Sequence, residues 1–251
     1  LFYGKKISIL KIYMKKQYLL FKYFKTLIVD SNFAKNEFVK NLNIDENKLH
    51  TVYPFLNNEI FYPIKNKIKI NYGLDDDNFI LLNVASDTSP NKNVETVIKL
   101  IKKLPENYKL IRVGKNTSTL KLIKELGLEK KILFFENLKE KELAEIYRNS
   151  DIFIYPSLYE GFGLPVLEAM GSGLPVIISN VTSLPEVAGQ AGLIFDPFDI
   201  DAMKETIIKL SKNDEMYNLY KEKSIIRSKI FSPENQFNSL KYVFEKFYEL
   251  K

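Results

Sequence analysis

The chain has 251 residues, of which 45% are hydrophobic, enough apolar material for a globular protein of one or two domains. It contains no cysteine, which excludes disulfides, thiolate metal sites and cysteine nucleophiles. The formal charge is +6, yet seven lysines and no acid fall within residues 1–26, so the remainder is close to neutral and the basicity belongs to one segment.

The start, L-F-Y-G-K-K-I, shows no small-residue cleavage site and no initiator Met, which leaves open that the chain is a fragment. No apolar run approaches the roughly 20 residues that span a bilayer. Ser8 to Lys25 reads as an amphipathic helix, with Lys11, Lys15, Lys22 and Lys25 beside Tyr18 on one face and Ile9, Tyr13, Leu20 and Phe24 on another. Two readings of residues 5–25 stay open. The lysines could lie on an anionic membrane surface, or they could be solvated on a helix packed against the body. Nucleic acid is a poor partner, because no recognition motif surrounds the basic segment.

Leu27 to Val29 reads as a strand, and Ser31 or Asn32 caps a helix reaching about Leu42. His50 to Tyr53 is a second strand, with His50 structural, and residues 54–69 form a connection. From Phe79 the pattern alternates. Strands are expected at 79–85, 109–113, 131–135, 152–155, 175–178 and 192–195, and helices at 93–103, 117–126, 139–149, 164–171 and 200–211. That alternation implies an α/β, doubly wound parallel sheet with helices on both faces. Two helices, 214–229 and 233–249, close the chain. Residues 1–60 offer too little sheet for an independent core.

The stretch from Asp151 to Gly173 carries the chemistry. Ile152 to Tyr155 is an apolar strand of the kind buried on both faces. Gly161 and Gly163 let backbone amides approach a ligand closely. Pro165 suits the first turn of a helix, and Glu168 follows about one turn in. A strand end feeding a helix N-terminus is where open α/β sheets bind ligands, anions included. Glu160 and Glu168 would repel a diphosphate but can accept hydrogen bonds from vicinal hydroxyls. The combination points to a sugar-bearing ligand, with phosphate towards amides and cations and hydroxyls towards carboxylates. Acids at a helix N-terminus would explain one glutamate, but not the glycines or the preceding strand.

The segment E-G-F-G-L-P-V-L-E resembles the Glu-x7-Glu motif of the retaining glycosyltransferases of family four, which have the GT-B fold. The resemblance continues through A-M-G-S-G-L-P-V-I and S-N-V-T-S-L-P-E-V-A-G-Q-A-G-L-I-F-D-P. It extends upstream to S-P-N-K-N at Ser89 to Asn93 and L-I-V-D-S-N-F at Leu27 to Phe33, covering the chain from about residue 27. It implies a division into a truncated acceptor-side domain over 1–65, a donor-binding domain over 66–230 and a C-terminal helix over 231–251.

The resemblance also implies roles. Glu168 would hold the ribose hydroxyls of a nucleotide donor. Glu160 would contact the donor sugar, and Lys92 the diphosphate; these two are the candidate catalytic pair. The amides of Phe162, Gly163 and Leu164 would bind sugar hydroxyls or phosphate, with Gly161 beside them in the donor site. Gly114 would line the donor cleft or be a plain turn glycine, and Glu136, Asn137 and Leu138 would frame the base. The family usually places Gly-Arg where this chain has Ala85 and Ser86. A serine supplies no charge there, which predicts weaker diphosphate binding or a substitute cation. Thr182 and Ser183 precede a segment that resembles one near the diphosphate, and Glu186 is expected to cap the turn that follows. The Asp-x-Asp patterns at Asp75–Asp77 and Asp199–Asp201 read as a polar turn and a helix cap, so no metal and no cofactor are expected.

The leading expectation is therefore transfer of a hexose, mannose or glucose, from a GDP- or UDP-sugar to a hydroxyl on a glycan or lipid-linked acceptor. The expected setting is polysaccharide assembly, in the cytoplasm or peripheral on the inner membrane face. The alternative is a nucleotide-sugar-binding subunit whose acceptor half comes from a partner chain or a second copy of itself.

Overall fold

The computed structural model describes residues 21, 23–64, 73–75, 77–115 and 117–249. The lysine-rich helix expected over 8–25, with the membrane surface considered for residues 5–25, falls almost wholly outside these residues.

Among the described residues there are two parallel sheets. The smaller pairs β1 (Leu27–Val29) with β2 (Leu49–Thr51), joined through α1 (Asn32–Leu42). Ser31 is the N-cap of α1, its hydroxyl accepting from the Ala34 amide at 3.0 Å. Val29, Leu42, Ile44 and Leu49 make a small apolar cluster under this unit. His50 sits in β2, and burial together with Lys246 and Lys35 lowers its pKa, so the ring is neutral at pH 7.

The larger sheet holds β3 (Phe79–Val84), β4 (Tyr108–Val113), β5 (Ile132–Phe135), β6 (Ile152–Tyr155), β7 (Val176–Ser179) and β8 (Gly192–Phe195), all parallel, in the order β5-β4-β3-β6-β7-β8. Its helices are α2 (Val94–Lys103), α3 (Leu120–Glu125), α4 (Glu140–Asn149), α5 (Leu164–Gly171), α6 (Leu184–Ala188) and α7 (Ile200–Lys212). They are followed by α8 (Asp214–Ser228) and α9 (Pro233–Glu249). β6 and β7 are buried along their length and β3 through its middle, because their sequences, I-F-I-Y, V-I-I-S and F-I-L-L-N-V, are nearly unbroken apolar runs. In α2 the pattern V-E-T-V-I-K-L-I-K-K turns Val97, Ile98 and Ile101 inward and leaves Lys99, Lys102 and Lys103 outside. The α/β architecture expected from the alternation is the one observed.

The topology positions the site. β3 and β6 are hydrogen-bonded neighbours, yet the chain leaves β3 towards β4 on one side and β6 towards β7 on the other. The connections diverge, and a crevice opens at the carboxyl ends of β3 and β6, the switch point of the sheet.

Three local features differ from expectation. The helix expected over 117–126 begins at Leu120, because the amides of Thr117, Ser118 and Thr119 are bound by the Asp87 carboxylate at 2.8–3.0 Å. The short helix α6 was not expected; at five residues it is too brief for periodicity to reveal. Lys92 ends a 3-10 turn, Pro90–Lys92, and Asn93 adopts φ +50 before α2 starts.

Candidate active site

Lys92 leaves the chain just beyond β3, and Glu160 just beyond β6, so the switch point brings both into one crevice. The Lys92 ammonium donates to Glu160 Oε1 at 2.7 Å and Oε2 at 3.0 Å, and to the Tyr155 hydroxyl at 2.9 Å. Glu160 is 9% exposed. Its Oε1 also accepts from Ser157 Oγ at 2.6 Å. Enclosing a carboxylate without such partners would be costly. Tyr155 is fully buried at the end of β6, and burial and the Glu160 charge drive its phenol well above the ordinary range, so it remains protonated.

The glycine turn is tethered from outside itself. Ser183 Oγ donates to the carbonyls of Glu160 and Phe162 at 3.1 and 2.8 Å. Ser31 Oγ, from the smaller unit, donates to Gly161 O at 2.5 Å. Thr182 Oγ1 accepts from the Glu160 amide at 3.2 Å. Thr182 has φ +59, a region a β-branched residue seldom occupies and one that concentrates at functional sites. Gly163 has φ +106 and opens α5. The amides of Phe162, Gly163 and Leu164 meet no protein acceptor among the described residues, so they are available to an anion or hydroxyl at this helix start.

Glu168 sits in α5, where the Tyr147 hydroxyl donates to its Oε2 at 2.9 Å. Burial raises its pKa, the Tyr147 bond opposes that, and Glu140 adds to it. It does not touch Lys92 or Glu160; its remaining acceptor capacity is free for hydroxyls.

The other candidates are less engaged. The Ser86 hydroxyl is shared with Thr88 Oγ1 at 2.8 Å. Gly114 answers a steric demand: at φ +122 an added Cβ would lie 2.6 Å from Ala85 O, so β4's end can pass β3's only without a side chain. Asn137, beyond β5, has φ +56, and it stands with Glu136 and Leu138 at the same end of the sheet. A cavity of about 780 Å³ lies beside the crevice, lined by Asp87, Thr117, Ser118 and Lys121. None of the candidate site residues lines it, and the Asp87 carboxylate there is occupied by the amides that start α3. Arg112, the buried cation of β4, is bonded to Asn83 and has no exposed surface.

Glu186 departs from its expected role. It does not cap its own turn. It takes the N-terminus of α1, accepting from the Asn32 amide at 2.7 Å and the Phe33 amide at 3.0 Å, and from the Tyr53 hydroxyl at 2.7 Å. The carboxylate prefers those orphan amides, at the positive end of a helix dipole, over solvent.

Asp199 caps α7, accepting from the Ala202 amide at 3.0 Å, and Asp201 pairs with Lys103. No group of three or more His, Cys, Asp or Glu suited to a metal occurs among the described residues. No described helix is long and apolar enough to cross a membrane.

Residues 64–227 match the family model described as glycosyl transferases group 1. The chain belongs to this family. It is similar to the O-antigen chain mannosyltransferase B of Escherichia coli, with 37% identity over 154 residues, covering 58% of this chain and 40% of that protein. The chain thus spans less than half the length of that curated relative. Among solved structures it resembles the sucrose-phosphate synthase of Thermosynechococcus elongatus, with a TM-score of 0.83 and 21% identity over 94% of this chain and 61% of that one. It also resembles Anabaena HepE, solved in complex with UDP and glucose, with a TM-score of 0.82 and 16% identity over 94% and 67% of the two chains. These likenesses establish the fold as that of GT-B glycosyltransferases.

Proposed function

We propose that the chain is the donor-binding part of a retaining hexosyltransferase that uses a nucleotide-diphosphate sugar. The observation that carries the reading is the meeting of Lys92 and Glu160 at the switch point, beside the amides of Phe162 to Leu164, which have no protein acceptor among the described residues. A diphosphate fits the ammonium and those amides; sugar hydroxyls fit Glu160; ribose hydroxyls fit Glu168. On transfer, the bond from the sugar C1 to the diphosphate breaks and the acceptor oxygen bonds to C1. The departing diphosphate takes the electron pair, and Lys92 stabilises its charge. The acceptor hydroxyl passes its proton to the departing diphosphate oxygen. Retention is the outcome the family resemblance implies, and with Lys92 in this role the reaction needs no metal.

The Escherichia coli relative is named a mannosyltransferase of O-antigen chains, which favours mannose, a GDP donor and polysaccharide assembly on a glycan or lipid-linked acceptor. The neighbour solved with UDP and glucose favours a UDP donor. On this reading residues 66–230 bind the donor, residues 1–65 contribute to the acceptor side, and 231–251 form the closing helix. Peripheral attachment to the cytoplasmic membrane face rests on the lysines of residues 5–25 alone.

A second reading, a nucleotide-sugar-binding subunit that borrows its acceptor half from a partner chain or another copy, is favoured by one fact: Ala85 and Ser86 stand where the family has Gly-Arg. Incubating the purified chain with GDP-mannose or UDP-glucose and glycan acceptors, with NMR of any product, separates the two. An α-linked product supports the first reading; donor binding without turnover supports the second.

A further inference from the structure

The two candidate catalytic side chains are bonded to each other. Lys92 spends its ammonium on both oxygens of Glu160, at 2.7 and 3.0 Å, and their side chains are 28% and 10% exposed. Any diphosphate that uses Lys92 must first separate this pair. From that geometry we propose that the Lys92–Glu160 pair selects the sugar-bearing nucleotide over the bare nucleoside diphosphate, making Glu160 a specificity-determining residue that favours loading of donor and release of product. The inference rests on the donor reading above and deepens it.

The argument follows from what each ligand returns to Glu160. A nucleotide sugar takes Lys92 with its diphosphate and presents hydroxyls to Glu160, so both members of the broken pair are satisfied again. A bare diphosphate takes Lys92 and presents nothing to Glu160. The carboxylate is then left enclosed with Ser157 Oγ and the Tyr155 phenol near it, but without its cation. An enclosed charge stripped of its partner is strongly unfavourable. The cost falls on the bare diphosphate alone, whose terminal phosphate also brings more negative charge towards Glu160. Once the sugar has left, Glu160 recaptures Lys92 and the nucleoside diphosphate is expelled. Ser157 and Tyr155 hold the two ends of the pair in register while it opens, since Tyr155 Oη bonds Lys92 at 2.9 Å from a fully buried ring.

Isothermal calorimetry tests this with two ligand pairs, UDP with UDP-glucose and GDP with GDP-mannose, on the unaltered chain and on Glu160→Gln. Glutamine keeps the shape and the Ser157 bond and removes the charge. The ratio of the two affinities, taken on one preparation, is independent of how much of that preparation is folded. The unaltered chain is expected to bind the sugar nucleotide at least as tightly as its diphosphate. In Glu160→Gln the bare diphosphate should bind about tenfold to a hundredfold more tightly, in line with release of one charge-assisted contact, and the preference should invert. Lys92→Gln should weaken both ligands and abolish the inversion when combined with Glu160→Gln. Diphosphate binding that is present but no tighter in Glu160→Gln overturns the selection mechanism and leaves the donor reading intact. Absence of binding by either protein to all four ligands overturns both.

Discussion

The Tyr147 phenol, buried beneath α5, donates to Glu168 Oε2 at 2.9 Å and to the Pro165 carbonyl at 3.2 Å. Its bond favours the ionised form of Glu168 against the burial that disfavours it. Glu168 can accept ribose hydroxyls with both oxygens only when ionised. Its pKa is raised from 4.5, so nucleotide affinity should fall on acidification at pH values above that of an ordinary glutamate. Calorimetric titrations at a series of pH values measure this. Tyr147→Phe removes the favouring bond and should move the loss to still higher pH, and Glu168→Gln should weaken binding and flatten the profile.

The same shift has a consequence for stability. The native chain holds the Glu168 proton more tightly than the unfolded chain. This contribution is therefore greatest at low pH and is lost as pH rises through the raised pKa. Comparing unfolding midpoints of Glu168→Gln and the unaltered chain across that window isolates it: the difference should grow in the variant's favour as pH rises.

Glu186 fastens the smaller unit to the larger through Asn32, Phe33 and Tyr53. Glu186→Ala leaves two helix-terminal amides and a phenol without their carboxylate. The expected cost is about 1–3 kcal/mol, with faster hydrogen exchange in α1 and β2 and little change in β3 to β7. Uniform acceleration through the large sheet would contradict this assignment.

Gly114→Ala places a methyl 2.6 Å from Ala85 O at φ +122. Neither strand end can yield, because Ala85 N is itself bonded to Val113 O at 2.9 Å. A loss of about 2–4 kcal/mol is expected from strain and overpacking together, visible in chemical denaturation. Gly163→Ala carries backbone strain too, at φ +106, but its Cβ would meet only the flexible end of Leu184; it should cost less stability than Gly114→Ala and should also weaken nucleotide binding.

Ser86 shares its hydroxyl with Thr88 and contributes no charge. If the diphosphate is short of a cation, Ser86→Arg should tighten UDP or GDP binding by about tenfold or more, the worth of one charge-assisted contact. Unchanged affinity would mean that a cation already serves this place.

Much of this was legible in the sequence. The apolar runs of β3, β6 and β7 read as buried parallel strands, and the cap as Ser31 or Asn32, of which Ser31 is the one used. The glycine turn between β6 and α5 could be read because its residue types each answer a backbone need. What escaped depended on contacts across long separations. The true start of α3 is set by Asp87, some 30 residues earlier. Glu186 reads as a local cap, because nothing in its neighbourhood reveals that the end of α1 lies against it. Tyr155 and Ser157 read as strand and turn, and their place around Lys92 and Glu160 appears only when β3 and β6 are paired.

The most direct test of the central claim is calorimetric titration of GDP, UDP, ADP and GDP-mannose into the purified chain, with Glu168→Ala alongside. The account predicts saturable binding selective for one base, weakened in Glu168→Ala by about 1–3 kcal/mol, the worth of hydrogen bonds to a charged acceptor. Absence of binding to all four ligands, or binding indifferent to the loss of Glu168, would contradict the assignment of this crevice as a nucleotide-sugar site.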